Sequence, residues 1–196
     1  MQKKVKVLGI AGSPRRGGNT DLLLDEALRG AKDGGAEVEK IYARNYKIIP
    51  CIECNECFKH GECVVKDEMQ EIYPKLLEAD HIIFASPIFF MGITGWAKAL
   101  IDRCQALWAK RYILKQPLVE TERKSQRKGI FISVGGTKGK SLFAGAIRTI
   151  KIFFDAMDVA YSGGLFYRSI DNKGEIKEHP TALQEAYEAG KKLVKD

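Results

Sequence analysis

Histidine and long apolar runs are scarce in this 196-residue chain. His81 and His179 have no acid–base companion in the pattern around them, and no His/Asp/Glu constellation of hydrolytic type is evident. No apolar run approaches the ~20 residues that a membrane-spanning helix requires. Residues 1–12 briefly imitate a basic signal-peptide head, but their apolar run is short and Lys6 breaks it, so a strand is expected there. With no secretory feature, a cytoplasmic, reducing location follows, which disfavours disulfides. Internal repeats and low-complexity tracts are missing. So are two nucleotide motifs. Gly139-Lys140-Ser141 follows a strand pattern, but the glycine that a triphosphate loop requires five residues before it is Val134. No G-x-G-x-x-G follows the first strand either. The formal net charge is +7, yet no nucleic-acid motif accompanies it, so a solvated basic surface is expected and no nucleic-acid partner.

Cysteine, by contrast, is concentrated. Four of the five cysteines fall in Cys51-Ile-Glu-Cys54-Asn-Glu-Cys57-Phe-Lys-His-Gly-Glu-Cys63, spaced C-x2-C-x2-C-x5-C. A core cysteine needs no neighbour of its own kind, so thiols this close imply oxidation or a soft ligand held between them. The spacing best suits an iron–sulfur cubane, whose four thiolates converge on one small body, here from a single loop. Zinc is the nearest rival, although its sites more often use two separated C-x2-C knuckles or mix in histidine. Thiols that are empty, redox-active or structural form the third reading. His60 lies inside the loop, where a solvated or hydrogen-bonding role suffices. Cys104 falls on the apolar stripe of a helix and reads as structural.

Along the chain, Val5 to Ile10 reads as a buried strand. It ends in the turn-rich Gly12-Ser13-Pro14-Arg15-Arg16-Gly17-Gly18-Asn19-Thr20. A helix follows, with Asn19 or Thr20 as its cap and Gly34-Gly35 as its stop. Val38 to Tyr42 makes a second strand, and the cysteine loop comes next. Asp67 opens a helix through Met69, Ile72 and Leu76 that Pro74 should distort or shorten. His81 to Ala85 is the third strand. Trp96, Leu100, Cys104 and Leu107 mark one face of the next helix. The stretch from Lys110 to Lys128 is basic, weakly periodic and longer than an ordinary connection, so an arm or subunit contact is expected at about 109–128. Its charges suit a solvated face or a docking face for an acidic protein. Gly129 to Val134 is a fourth strand, Phe143, Ile147, Ile150, Phe154 and Met157 form a helical stripe, and Val159 onward is a fifth strand. A turn at Asp171-Asn172-Lys173-Gly174 and a helix from about Thr181 complete the chain. The alternation predicts one α/β domain over 1–196, with a cysteine-rich loop at 48–66. Its fold is an open five-stranded parallel sheet with helices on both faces, in the flavodoxin-like order 2-1-3-4-5.

Ligands of such sheets sit beyond the strand C-termini, near the point where strand order reverses. The Ser13 loop, the Ser86 loop and the Gly135 loop converge there. Ser13, Asn19 and Thr20 offer side-chain donors, glycines open the backbone, and the following helix turns its positive end outward, which suits a phosphate monoester. Arg15 adds charge. Phe89, Phe90 and Met91 make a wall for a flat ring, or plain core.

Together, Gly-Ser-Pro-Arg…Gly-Asn-Thr, the cysteine run followed by Val-Val-Lys-Asp-Glu-Met, Ser-Pro-Ile-Phe-Phe…Gly and Ile-Asp-Arg resemble the iron–sulfur flavoproteins. These belong to the wider NADPH-dependent FMN reductase group of flavodoxin-like proteins. The resemblance implies FMN and a [4Fe–4S] cluster, the latter ligated by Cys51, Cys54, Cys57 and Cys63. It implies that Ser13, Arg15, Asn19 and Thr20 hold the FMN phosphate. Ser86, Pro87, Ile88, Phe89 and Gly92 would line the ribityl and ring region, with Gly135, Gly136 and Thr137 as the third loop. It also implies a homodimer or homotetramer, with a cluster near the flavin of a neighbouring subunit. The expected function is a flavin-dependent oxidoreductase whose chemistry the cofactors carry. Electrons would pass from a ferredoxin-like donor through the cluster to FMN and on to a small-molecule oxidant. A cluster-free NAD(P)H-dependent FMN or quinone reductase is the alternative, and a non-catalytic zinc or thiol redox sensor a third.

Overall fold

The computed structural model describes residues 4–195, so residues 1–3 of the basic N-terminal head lie outside the described residues. Five strands, β1 (Lys6–Ala11), β2 (Glu37–Tyr42), β3 (His81–Ala85), β4 (Lys128–Gly135) and β5 (Ala160–Arg168), form one sheet in the order β2-β1-β3-β4-β5. Every neighbouring pair is parallel. This is the expected flavodoxin-like order. β3 is buried along its whole length because helices cover both faces, whereas in the edge strand β2 exposed and half-buried residues alternate and only Ile41 is buried. A bulge between Gly129 and Phe131 shifts the pairing of β4 with β5.

Side chains alternate across the sheet and build two cores. Leu8, Ile10, Ile82, Phe84 and Phe131 face α3 (Met69–Glu78), α4 (Gly95–Arg103) and α7 (Ala144–Ala156). Val7, Ala11, Ile83, Ile130 and Ile132 face α1 (Asn19–Asp33) and α8 (Ala182–Lys195). Two short helices, α2 (Cys57–His60) and α5 (Gln105–Trp108), lie in the first layer, and α6 (Thr121–Lys124) precedes β4. Among the described residues, no helix is long and apolar enough to cross a membrane.

Several local expectations need correction. Gly18, not Asn19 or Thr20, stands at the start of α1, and no side chain caps the helix. Pro74 sits inside α3, which runs on past it to Glu78 with Ile72 and Leu76 in the core. The Trp96 helix is two helices broken at Cys104, and Trp96 itself is 48% exposed while Leu100, Cys104 and Leu107 are buried. The basic stretch is only partly solvated: Lys115 and Lys124 stay exposed, while several of its other charges turn inward. A π-turn at Ala109–Ile113 carries Arg111 to Asp158 at 2.8 Å, and Lys124 reaches the same carboxylate at 3.0 Å. Arg123 pairs with Asp80 at 2.7 Å and donates to the carbonyls of Leu77 and Glu78. Arg127, fully buried, donates to the carbonyls of Leu76, Ala79 and Met157. These carbonyls end α3 and α7, where the helix itself offers no donor. The guanidinium groups supply it.

Candidate functional site

Each strand–loop–helix unit delivers its loop to the C-terminal edge of the sheet, and the loops after β1, β3 and β4 meet there. They enclose a cavity of about 90 Å³. Ser13, Arg15, Gly18, Asn19 and Thr20 line it from the first loop, Pro87, Ile88 and Phe89 from the second, and Gly135 and Gly136 from the third. Pro14, Val134, Ile170, Asp171 and Lys173 complete the wall. The first loop gives it polar groups, and Pro87, Ile88 and Phe89 give it an apolar side. The first turn of α1 points into it with N–H groups that have no intrahelical acceptor and no side-chain cap. Inside that turn, Asp21 accepts from the Gly17 N–H at 2.7 Å, and Lys40 of β2 meets the Asp21 carboxylate at 2.5 Å. Burial pulls the Lys40 ammonium down, but Asp21 and Asp25 outweigh it and leave its pKa raised. The carboxylate closest to the helix start is thereby neutralised.

The loops are locked before any ligand binds. The Ser13 hydroxyl accepts from the Arg15 N–H at 3.1 Å. Asn19 donates to the Asn172 carbonyl at 2.9 Å and accepts from the Ile176 N–H at 3.2 Å, which draws Asp171 and Lys173 to the cavity. Thr94 caps α4 and donates to the Gly12 carbonyl at 2.5 Å. The Ser86 hydroxyl is wholly buried and accepts from the Thr94 N–H at 3.2 Å. Phe89 and Gly92 exchange backbone hydrogen bonds of 2.9 and 3.0 Å around a tight turn. Its central residues, Phe90 and Met91, have φ of 47° and 63°, a conformation that favours Asn-Gly and costs roughly 1–3 kcal/mol for each bulky residue. The turn holds Phe90 wholly in solvent beside the cavity.

The cysteine loop lies elsewhere, over the outer surfaces of α4, α5 and α7. Cys51, Cys54, Cys57 and Cys63 are all free thiols, and they line a cavity of about 640 Å³ together with Ile101, Arg103, Cys104, Trp108, Arg148 and Phe153. Burial raises the Cys57 thiol, and the neighbouring Cys63, Cys51 and Cys54 add to the effect. Glu53 and Asn55, between the cysteines, have φ of 55° and 59° and turn the chain sharply. α2 closes the loop at Gly61, with Phe58 packed on Trp108 at 6.1 Å between ring centroids. Among the described residues, no three His, Cys, Asp or Glu side chains are gathered to hold a metal ion as they stand. The donor set nonetheless fits a cluster: four thiols face one cavity and no disulfide joins any of them. Cys104 is buried, and burial pushes its thiol up, in keeping with a structural role.

The family model for NADPH-dependent FMN reductases matches residues 5–167. The chain belongs to that family. An iron-sulfur flavoprotein from Methanosarcina thermophila is 31% identical over 198 residues, covering 96% of this chain and 93% of its own. One from Archaeoglobus fulgidus is 37% identical over 166 residues, covering 84% of this chain and 79% of its own. The solved NAD(P)H:quinone oxidoreductase from Methanothermobacter marburgensis has a TM-score of 0.72 at 17% identity, over 97% of this chain and 98% of that one, and shows the same fold. As a member of the FMN reductase family, the chain is a flavin-dependent oxidoreductase.

Within this family member, nine of the residues expected at the flavin site share the small cavity, and three do not. Ser86 is a buried knot between β3 and α4, Gly92 closes the Phe89 turn, and Thr137 stays outside, exposed on its loop. Asp171 and Lys173 escape a reading of the sequence because only the tie from Asn19 brings their turn to the first loop. Thr94 carried a usable signal: a threonine directly before a helix is a strong cap.

Proposed function

We propose that this chain binds FMN at the sheet edge and a [4Fe–4S] cluster in the cysteine loop. It would relay single electrons from a ferredoxin-like donor into pairs for a small oxidant such as oxygen, peroxide or a quinone. Bound there, the two groups supply one-electron and two-electron redox chemistry between them. The protein contributes position. Ser13, Arg15, Thr20 and the uncapped start of α1 hold the phosphate, Lys173 adds a cation, and Pro87, Ile88, Phe89, Gly135 and Gly136 shape the approach to it. Cys51, Cys54, Cys57 and Cys63 supply the four thiolates. The observation that carries the reading is the pairing of a loop-lined cavity, at a helix start without a side-chain cap, with four free thiols around a second cavity. The two cavities share no lining residue, which supports a relay between subunits of a homodimer or homotetramer.

Anaerobic purification with iron and flavin quantified tests this reading: about four iron atoms per chain and a broad visible band over the flavin peaks are expected. Iron-free protein after anaerobic reconstitution would sink the cluster. Cys57→Ser is expected to lose the cluster and keep FMN, because the sites use separate loops. The family's NADPH-dependent description favours a second reading, a cluster-free reductase using NAD(P)H directly. Stopped-flow mixing decides between them, since direct reduction of the flavin by NADPH supports the second and reduction only through a ferredoxin supports the first.

A further inference from the structure

One buried guanidinium holds both ends of the cysteine loop. Arg103 ends α4 beneath the loop and is 1% exposed. Its Nη1 donates to the Ile49 carbonyl at 2.8 Å and to the Asp67 carboxylate at 2.6 Å, and its Nη2 donates to the Val65 carbonyl at 3.2 Å. Ile49 lies just before Cys51 and Val65 just after Cys63. Asp67 closes the ring from the far side, accepting from the Ile49 N–H at 2.8 Å and the Met69 N–H at 3.1 Å. The Gln70 amide donates to the carbonyls of Val65 at 2.9 Å and Cys63 at 3.4 Å. The Tyr73 hydroxyl, from the next turn of α3, fixes the Arg103 carbonyl at 2.7 Å.

An ion pair built only for stability needs one cation and one anion. Here most of the remaining donors and acceptors belong to the two stems of the loop. A chain whose ends are fixed loses less freedom when its side chains converge on a ligand. The planar fork of arginine suits the task, since it bonds several acceptors at set angles where a lysine ammonium holds no such geometry.

We infer that Arg103, with Asp67 and Gln70, is the positioning clamp of the cysteine loop, holding its two stems together before any metal arrives. The inference rests on reading the loop as a metal site, and the experiment separates the two. Hydrogen–deuterium exchange is measured on metal-free, FMN-bound protein for wild type, Arg103→Met, Arg103→Lys and Gln70→Ala. Amides of residues 49–65 are expected to exchange about tenfold faster in Arg103→Met, and less so in the other two, while β4 and α7 keep their rates. After anaerobic reconstitution, Arg103→Met should release iron to a chelator faster than wild type with FMN content unchanged. Loop exchange equal in all four proteins overturns the clamp. A wild-type chain that takes up no iron, with exchange still raised in Arg103→Met, overturns the metal reading and leaves the clamp standing. Where Arg103→Met unfolds as a whole, Gln70→Ala decides, since it removes no buried charge.

Discussion

Arg127 illustrates how a single side chain can replace secondary structure at a helix end. Burial first, and then the charge of Arg123, hold its pKa down at about 10. Three carbonyl acceptors compensate. Arg127→Met removes the buried charge but strands the carbonyls, at roughly 1–3 kcal/mol for each unsatisfied group. The stranded carbonyls outweigh the relief, so a net loss of about 2 kcal/mol is expected, lowering the thermal midpoint by about 4–8 °C in a calorimetric scan. His81 adds a pH dependence. Burial lowers its pKa from 6.5, and its Nδ1 accepts from the Lys128 N–H at 3.2 Å, so the folded chain keeps it neutral. Below 6.5 the unfolded chain takes up the proton first, and stability falls as pH drops toward the depressed folded value. Urea midpoints between pH 8 and pH 5 should therefore fall more in wild type than in His81→Gln.

Between elements, the tightest contact joins α1 and α8 through two glycines. A Cβ added at Gly190 would lie 1.8 Å from the Ala27 carbonyl oxygen, and one at Gly30 would lie 1.9 Å from that of Tyr187. Both obstacles are backbone, so neither helix can yield without moving whole. Gly190→Ala is expected to destabilise by about 3 kcal/mol or more, read as a lower urea midpoint with flavin binding retained. That outcome separates the α1–α8 packing from the α1 start, which serves the ligand cavity. Helix content was legible in the sequence because apolar spacing reports burial directly, as with Leu23, Ala27 and Ala31 of α1. The cap of α1 was not. Asn19 has the right chemistry for a cap, yet a distant turn at Asn172 and Ile176 claims its amide.

At the scale of the whole molecule, the two candidate sites share no lining residue. A relay between neighbouring subunits predicts complementation. A Cys57→Ser chain would lack the proposed cluster, and an Arg15→Glu/Lys173→Glu chain would have its proposed phosphate cavity ringed by negative charge. Each alone should be inactive with a ferredoxin-type donor, and subunit exchange between them should restore turnover. No recovery in exchanged oligomers would confine the relay to one chain.

The sequence by itself determined the fold and the candidate site loops of this family member. Strand and helix periodicity follow from local burial, and the spacing of Cys51, Cys54, Cys57 and Cys63 is covalent, so neither waits on distant contacts. Only the tertiary structure decided which groups hold those loops in place. Arg103 meets Ile49, Val65 and Asp67 across long stretches of chain, and Arg127 meets Leu76, Ala79 and Met157 in the same way. A charged residue has one identity in sequence and many environments in space. Desolvation forces each buried guanidinium to find acceptors, and folding alone brings those acceptors within reach.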